Sequence, residues 1–226
     1  LRAQLKNTPL DSLLFEQNDF KITTTKASYQ DVVIYDSKID SLNFSTHNIA
    51  EPTECETFYA SYYHPLSLVG PYYSYEYGVA PQEACGPMGN TLAITTVDLR
   101  TLQKVPLQEL FTEKSILKAL KNDSWIKKLA QLNNIPISKI ETYKAFLYFL
   151  SETASMQFLT HSFTVLGYNS TTNTAQVRFV AQEYMGYDHH KHFQLGLTLR
   201  PKKHLKPVFK NQLAFKLGSY KNGLTK

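Results

Sequence analysis

One short run of this chain combines residue types that could hold a metal ion: Asp188-His189-His190-Lys191-His192. Side chains two residues apart share a face of an extended strand. Asp188, His190 and His192 would then present one carboxylate and two imidazoles together, a donor set that zinc or copper accepts. Lys191 sits within the run and repels a cation, and a polar turn rich in imidazole needs no metal. The run reads either as the ligand set of a metal-dependent or glycan-directed hydrolase, or as a solvent-exposed turn. No resident cofactor is expected.

Other routes to catalysis are poorly supplied. Nucleophilic catalysis needs a Ser or Cys beside a His and a carboxylate, and no Gly-x-Ser-x-Gly elbow occurs. Ser67 and Ser74 lie near His64, but in a tyrosine-rich strand where short hydroxyls fill the pleats. Glu76, Glu83 and Asp98 fit turn and cap acceptors. Gly86-Pro87-Met88-Gly89 lacks the lysine and following helix of a phosphate loop. The expectation leans away from an enzyme.

Tyrosines crowd one short span: Tyr59, Tyr62, Tyr63, Tyr72, Tyr73, Tyr75 and Tyr77. On alternating strand positions Tyr73, Tyr75 and Tyr77 share one face, and Tyr72 shares the other with Ser74 and Glu76. Tyrosine gives large contact area at small entropy cost and ends in a hydroxyl, so such a face suits a protein partner or a carbohydrate. Core packing at a sheet edge is the competing explanation. The candidate binding set is Tyr72, Tyr73, Tyr75, Glu76 and Tyr77, with Met88 and Asn90 from the following loop. The aromatic-Gly-aromatic signature of a nucleic-acid-binding sheet is absent, and nucleic acid is not an expected partner.

The net charge of +5 is unevenly placed. After Asp188 there is no acidic residue, whereas Lys191, Arg200, Lys202, Lys203, Lys206, Lys210, Lys216, Lys221 and Lys226 are all basic. The C-terminal part is a positive pole that would concentrate acidic surfaces of several kinds, unless it is simply a solvated face with a basic tail.

Cys55 and Cys85 are the only cysteines, both in polar, turn-like settings. They form a disulfide or remain two free thiols. A bridge would imply an oxidising compartment. The chain begins at Leu1 and has no long apolar run, so no transmembrane segment is expected, and an export signal would lie outside these residues.

The elements that must position these groups follow from periodicity. Thr-, Val- and Tyr-rich runs at 22–25, 31–35, 57–63, 66–77 and 92–99 read as strands. Pro106-Leu107-Gln108-Glu109-Leu110-Phe111 opens a helical region, with Ile116, Leu117, Leu120, Ile126, Leu129 and Leu132 at helical spacing on a Lys-rich background. Ser138 and Glu141 form a capping box ahead of the aromatic segment 143–150. Residues 157–167 and 175–184 form a hairpin, and 193–199 and 208–217 supply two further strands. The order is strands, two helices, strands, which indicates an α+β fold with an antiparallel sheet and two packed helices.

Three elements carry a family resemblance. Leu68-Val69-Gly70-Pro71-Tyr72-Tyr73-Ser74-Tyr75-Glu76 precedes a glycine-containing loop, Cys85-Gly86-Pro87-Met88-Gly89-Asn90-Thr91. After it comes Val97-Asp98-Leu99-Arg100-Thr101-Leu102-Gln103-Lys104, with Val105-Pro106-Leu107-Gln108-Glu109-Leu110-Phe111 behind. From Leu66 to about Arg200 the chain resembles the extracytoplasmic domain of unknown function found at the C-terminus of the lysozyme-binding anti-sigma factor and in many bacterial lipoproteins and exported polysaccharide deacetylases. Met88 stands where that family has a histidine, and Leu102 where it has a turn glycine.

The resemblance implies a secreted or periplasmic α+β binding or structural module of the bacterial envelope, not an enzyme on its own. Its partner would be a protein or a cell-wall glycan. Lysozyme is itself basic, so the positive charge of this chain argues against that particular ligand. Residues 1–226 are expected to form one domain: a family-like core at 66–200, strands from 1–65 joining the same sheet, and a basic C-terminal strand and tail at 201–226.

Overall fold

The computed structural model describes residues 11–17, 19–37, 58–82, 91–154, 157–184, 193–211, 213–216 and 223–225. Antiparallel strands and helices follow one another in blocks, and the protein is α+β. No described helix is long and apolar enough to cross a membrane. The chain divides into two compact units, Leu1–His64 with Tyr77–Gly89, and Pro65–Glu76 with Asn90–Lys226.

In the first unit, β1 (Leu13–Gln17), β2 (Phe20–Thr23), β3 (Lys26–Tyr29) and β4 (Val32–Asp36) pair in sequence order as an antiparallel meander. Gln30 and Asp31 between β3 and β4 both have positive φ, the geometry that matches a two-residue turn to the twist of its strands. Phe20, Ile22, Ala27 and Tyr35 are buried. The Tyr35 ring stacks on Tyr63 at 4.8 Å and lies 5.4 Å from Tyr77. These four strands pair only with one another among the described residues, whereas residues 58–65 join the larger sheet as the start of β5 (Phe58–Val69). Short strands joined by tight turns satisfy their ladders locally.

A nine-stranded sheet has the order β12-β5-β6-β7-β10-β11-β13, with β8 paired to β7 and β9 to β10. Its strands are β5 (Phe58–Val69), β6 (Tyr72–Gln82), β7 (Thr91–Asp98), β8 (Gln103–Lys104), β9 (Gln157–Asn169), β10 (Thr174–Tyr184), β11 (Gln194–Leu199), β12 (Leu213–Lys216) and β13 (Gly223–Thr225). The run 66–77, read as one strand, is split between β5 and β6 because Gly70, at φ 56°, and Pro71 reverse the chain. The hairpin at 157–184 forms as its turn chemistry implies: Asn169 Oδ1 accepts the Thr171 and Thr172 amides, and Asn173 takes a positive φ.

The helices of the second unit are α1 (Leu107–Leu110), α2 (Glu113–Asn122), α3 (Ser124–Leu132), α4 (Tyr143–Ala154) and α5 (Lys206–Asn211). Asp123 divides α2 from α3: its amide closes α2, while its carboxylate accepts the Ile126 amide at 2.9 Å and caps α3. The Ser138/Glu141 box does not form. Residues Ile137–Lys139 make a 3-10 turn, and Thr142 instead accepts the Ala145 amide at the start of α4. The expected strand at 208–217 is α5 followed by β12, because Phe209 inserts into the core as a helical residue.

Ile116 and Leu120 of α2, Ile126 and Ala130 of α3, and Phe146, Phe149 and Leu150 of α4 form one apolar core with Phe163, Val177, Phe179, Leu195 and Leu197 of the sheet. Each such side chain, moved from water to this interior, contributes roughly 1.5–3 kcal/mol before chain entropy is charged against it.

Buried hydroxyls link other strands of this unit. Ser67 and Thr164 hydroxyls meet at 2.8 Å, as do those of Ser74 and Thr96, and Thr96 also donates to the Phe163 carbonyl. These serines tie β5 and β6 to β9 and β7 by local hydrogen bonding, in keeping with their reading as pleat-filling hydroxyls.

The turn after β7 carries an ion pair between Asp98 and Arg100. Asp98 accepts Nε of Arg100 at 2.9 Å and Nη2 at 2.6 Å, and it also accepts the Arg100 amide. The Arg100 guanidinium lies 5.7 Å from the Tyr72 ring centre. Leu102, at the position where the resembled family has glycine, has φ 57°.

Candidate anion-binding cleft

The most distinctive surface of the second unit begins with a clamp between the first turn of α2 and the chain leaving β11. Thr112 caps α2 by accepting the Ser115 amide. The Thr112 amide donates to the Arg200 carbonyl at 3.2 Å, and the Arg200 amide donates to Ser115 Oγ at 2.7 Å. Phe111 and Pro201 form a β-bridge, and the Lys202 amide donates to the Leu110 carbonyl at 2.9 Å.

The basic segment that follows is also held in place. Leu205 and Phe209 are buried, and the Phe209 ring lies 5.4 Å from Phe111 and 6.2 Å from Tyr168. Lys203 and Lys206 are thereby positioned by apolar anchors next to them, rather than by charge pairing.

Between these parts lies a half-open cleft of about 1120 Å³. α2, the β9–β10 turn, the end of β11 and residues 200–206 line it. It gathers five cationic side chains, Lys114, Lys118, Arg200, Lys203 and Lys206, all exposed and none ion-paired among the described residues. Lys114 and Lys118 share a helix face because they are four residues apart.

Among the described lining residues the one carboxylate is that of Asp123, and one of its oxygens accepts the Ile126 amide. Glu113, beside Lys114 in the sequence, is turned to the Tyr143 amide, which it accepts at 2.9 Å. Among the described residues no aromatic side chain lines the cleft. Like charges brought together on fixed backbone repel one another, and an anion in the cleft removes that repulsion.

Of the positive pole of the sequence, Arg200, Lys203 and Lys206 line this cleft. Lys114 and Lys118 were missed as site residues, since their contribution depends on α2 meeting the end of β11. Their signal was present only as the lysine-rich face of an amphipathic helix.

The tyrosine set behaves differently. Tyr72, Tyr73 and Tyr75 are buried, with Tyr73 at 0% exposure. This corrects their reading as a displayed contact face. Tyr73 and Tyr75 stack on one another at 5.4 Å, and Tyr72 packs into the core under Arg100. Their area serves folding, as the competing explanation held. Glu76 and Tyr77 are half-buried.

Met88, Asn90, Cys55, Cys85, Asp188, His190 and His192 lie outside the described residues. The disulfide and the metal set are therefore not located by the structure. Among the described residues no three His, Cys, Asp or Glu side chains gather as a metal site.

The fold and the cleft together define an α+β domain with a preformed cationic groove. No family model matches the chain, and no curated protein or solved structure shows significant similarity to it.

Proposed function

We propose that the chain is a non-catalytic binding module of the bacterial envelope, secreted or periplasmic, that holds an anionic partner in the cleft between α2 and residues 200–206. The partner is an acidic segment of a protein or an acidic cell-wall polymer. The observation that carries this reading is the convergence of five cations, unpaired among the described residues, on one concave surface whose described lining holds a single carboxylate. The envelope setting rests on the resemblance of Leu66–Arg200 to the extracytoplasmic family.

The test compares two triple variants matched in charge. One neutralises the cleft (Lys118→Gln, Arg200→Gln, Lys203→Gln) and the other neutralises exposed lysines elsewhere in the same unit (Lys127→Gln, Lys128→Gln, Lys139→Gln). Binding of labelled poly-γ-glutamate and inorganic polyphosphate is measured by fluorescence anisotropy at low salt. The cleft variant is expected to lose at least about tenfold in affinity, some 1.4 kcal/mol, while the control stays near wild type. Equal losses in both would show a diffuse charge effect and overturn the assignment.

A further inference from the structure

We infer that the cleft takes a linear phosphate-bearing polymer, such as a polyol phosphate or polyphosphate chain, in preference to a carboxylate polymer or a neutral glycan. This inference rests on the reading of the cleft as an anion site. Three features of the lining select among anions.

The first is the excess of donors over acceptors. The five cations are joined by the Thr112 and Ser115 hydroxyls, whose oxygens already accept amides and whose protons remain to be donated. The amide of Lys114, in the first turn of α2, has no carbonyl partner among the described residues. Phosphate oxygens only accept, and those of a phosphodiester take up donors from several directions. A sugar ring needs donors and acceptors alternately, and the acceptors among the described lining residues, the Asp123 carboxylate and the side-chain amides of Asn122 and Asn173, are outnumbered by the five cations.

The second is the guanidinium of Arg200. Its planar fork matches two oxygens of a phosphate, whereas the lysines act as point charges. The backbone of Arg200 is fixed on both sides, by the Thr112 amide and the Ser115 hydroxyl. Little backbone entropy remains to be lost when it binds, and the exposed side chain supplies what ordering is left.

The third is the absence of aromatic side chains among the described residues of the lining. Sugars and nucleic-acid bases bind on ring platforms. A polymer recognised here is gripped by its charges alone. The lining is concave and half-open, which fits a strand lying in a groove better than the flat face of a bilayer.

The test measures the full chain against inorganic polyphosphate, poly(glycerol phosphate), poly-γ-glutamate matched in charge and length, and vesicles of phosphatidylglycerol. Both phosphate polymers are expected to bind about tenfold more tightly than polyglutamate, and more tightly than the vesicles, with binding that weakens as salt is added. Arg200→Lys is expected to keep most of the polyglutamate affinity while losing most of the phosphate preference. Lys118→Ala should weaken both polymers alike. Thermal melts show that each variant is folded.

Equal affinity for phosphate and carboxylate polymers would overturn the phosphate assignment and leave the anion cleft standing. Failure of every anion to bind would overturn both. Tighter binding to vesicles than to free polymer would replace the groove by a membrane face. An Arg200→Lys variant with undiminished preference would refute the role given to the guanidinium.

Discussion

The Arg200 amide donates to the Ser115 hydroxyl across 85 residues of sequence, at 2.7 Å. This bond joins the chain leaving β11 to the first turn of α2, and it places one cation of the cleft relative to the two on the helix. Ser115→Ala removes the acceptor at a partly solvated position. It is expected to cost about 0.5–1.5 kcal/mol in chemical denaturation. It should also weaken polyanion binding, although Ser115 carries no charge. Ser115→Thr, which keeps the hydroxyl, should retain most of both. Unchanged binding in a folded Ser115→Ala variant would show that the clamp does not position Arg200.

The Ser67–Thr164 hydroxyl pair is fully buried. Thr164→Val leaves the Ser67 hydroxyl without its partner in a dry layer and should destabilise by roughly 1–3 kcal/mol. Adding Ser67→Ala removes the orphan and should recover a large part of the loss. A double-mutant cycle by urea denaturation reads the coupling directly. Strict additivity would mean that the two hydroxyls do not interact.

Leu102 occupies left-handed backbone at φ 57°. That conformation costs a non-glycine residue about 1–2 kcal/mol, against which glycine loses about 0.4–1 kcal/mol through its freer unfolded chain. The Leu102 side chain is 39% exposed, so its removal forfeits limited burial. Leu102→Gly is expected to stabilise the fold by up to about 1 kcal/mol, seen as a raised melting temperature. A lowered one would show that the packing of Leu102 outweighs its strain.

His161 has Nε2 buried without a hydrogen-bond partner. Burial, and secondarily the charge of Lys104, hold its imidazole below the ordinary range. The unfolded chain therefore binds a proton near pH 6.5 that the folded protein resists. Stability from this group is fully present above that pH and declines as pH falls toward the folded value. Denaturation midpoints between pH 7 and pH 5 should fall less steeply in His161→Gln than in wild type. Parallel pH profiles would rule out His161 as a contributor.

Much of the fold can be read from local signals. The hairpin around Asn169–Asn173, the strand and reversal at Asp98–Lys104, and the helical spacing of Ile116, Leu120 and Ile126 each reflect neighbours close in sequence. Breaks were harder to place. Asp123 splits one apparent helix because a single carboxylate serves as the junction of two, and Thr142 displaces Ser138 as cap only because the intervening residues form a 3-10 turn. The site was the least legible part. Tyrosines that suggest a contact face by composition are drawn inward by their burial area, while Lys114 and Lys118 become functional candidates only because Ser115 of their helix meets Arg200 far along the chain.

Backbone amide chemical-shift mapping during titration with inorganic polyphosphate tests the central claim most directly. The account expects the largest shifts at Lys114, Ser115, Lys118, Thr198, Arg200 and Lys203, which surround the cleft, with little change in α3 beyond its first turn, in α4 or in the β1–β4 sheet. Shifts concentrated on those latter elements, or none at a concentration where anisotropy reports binding, would contradict it.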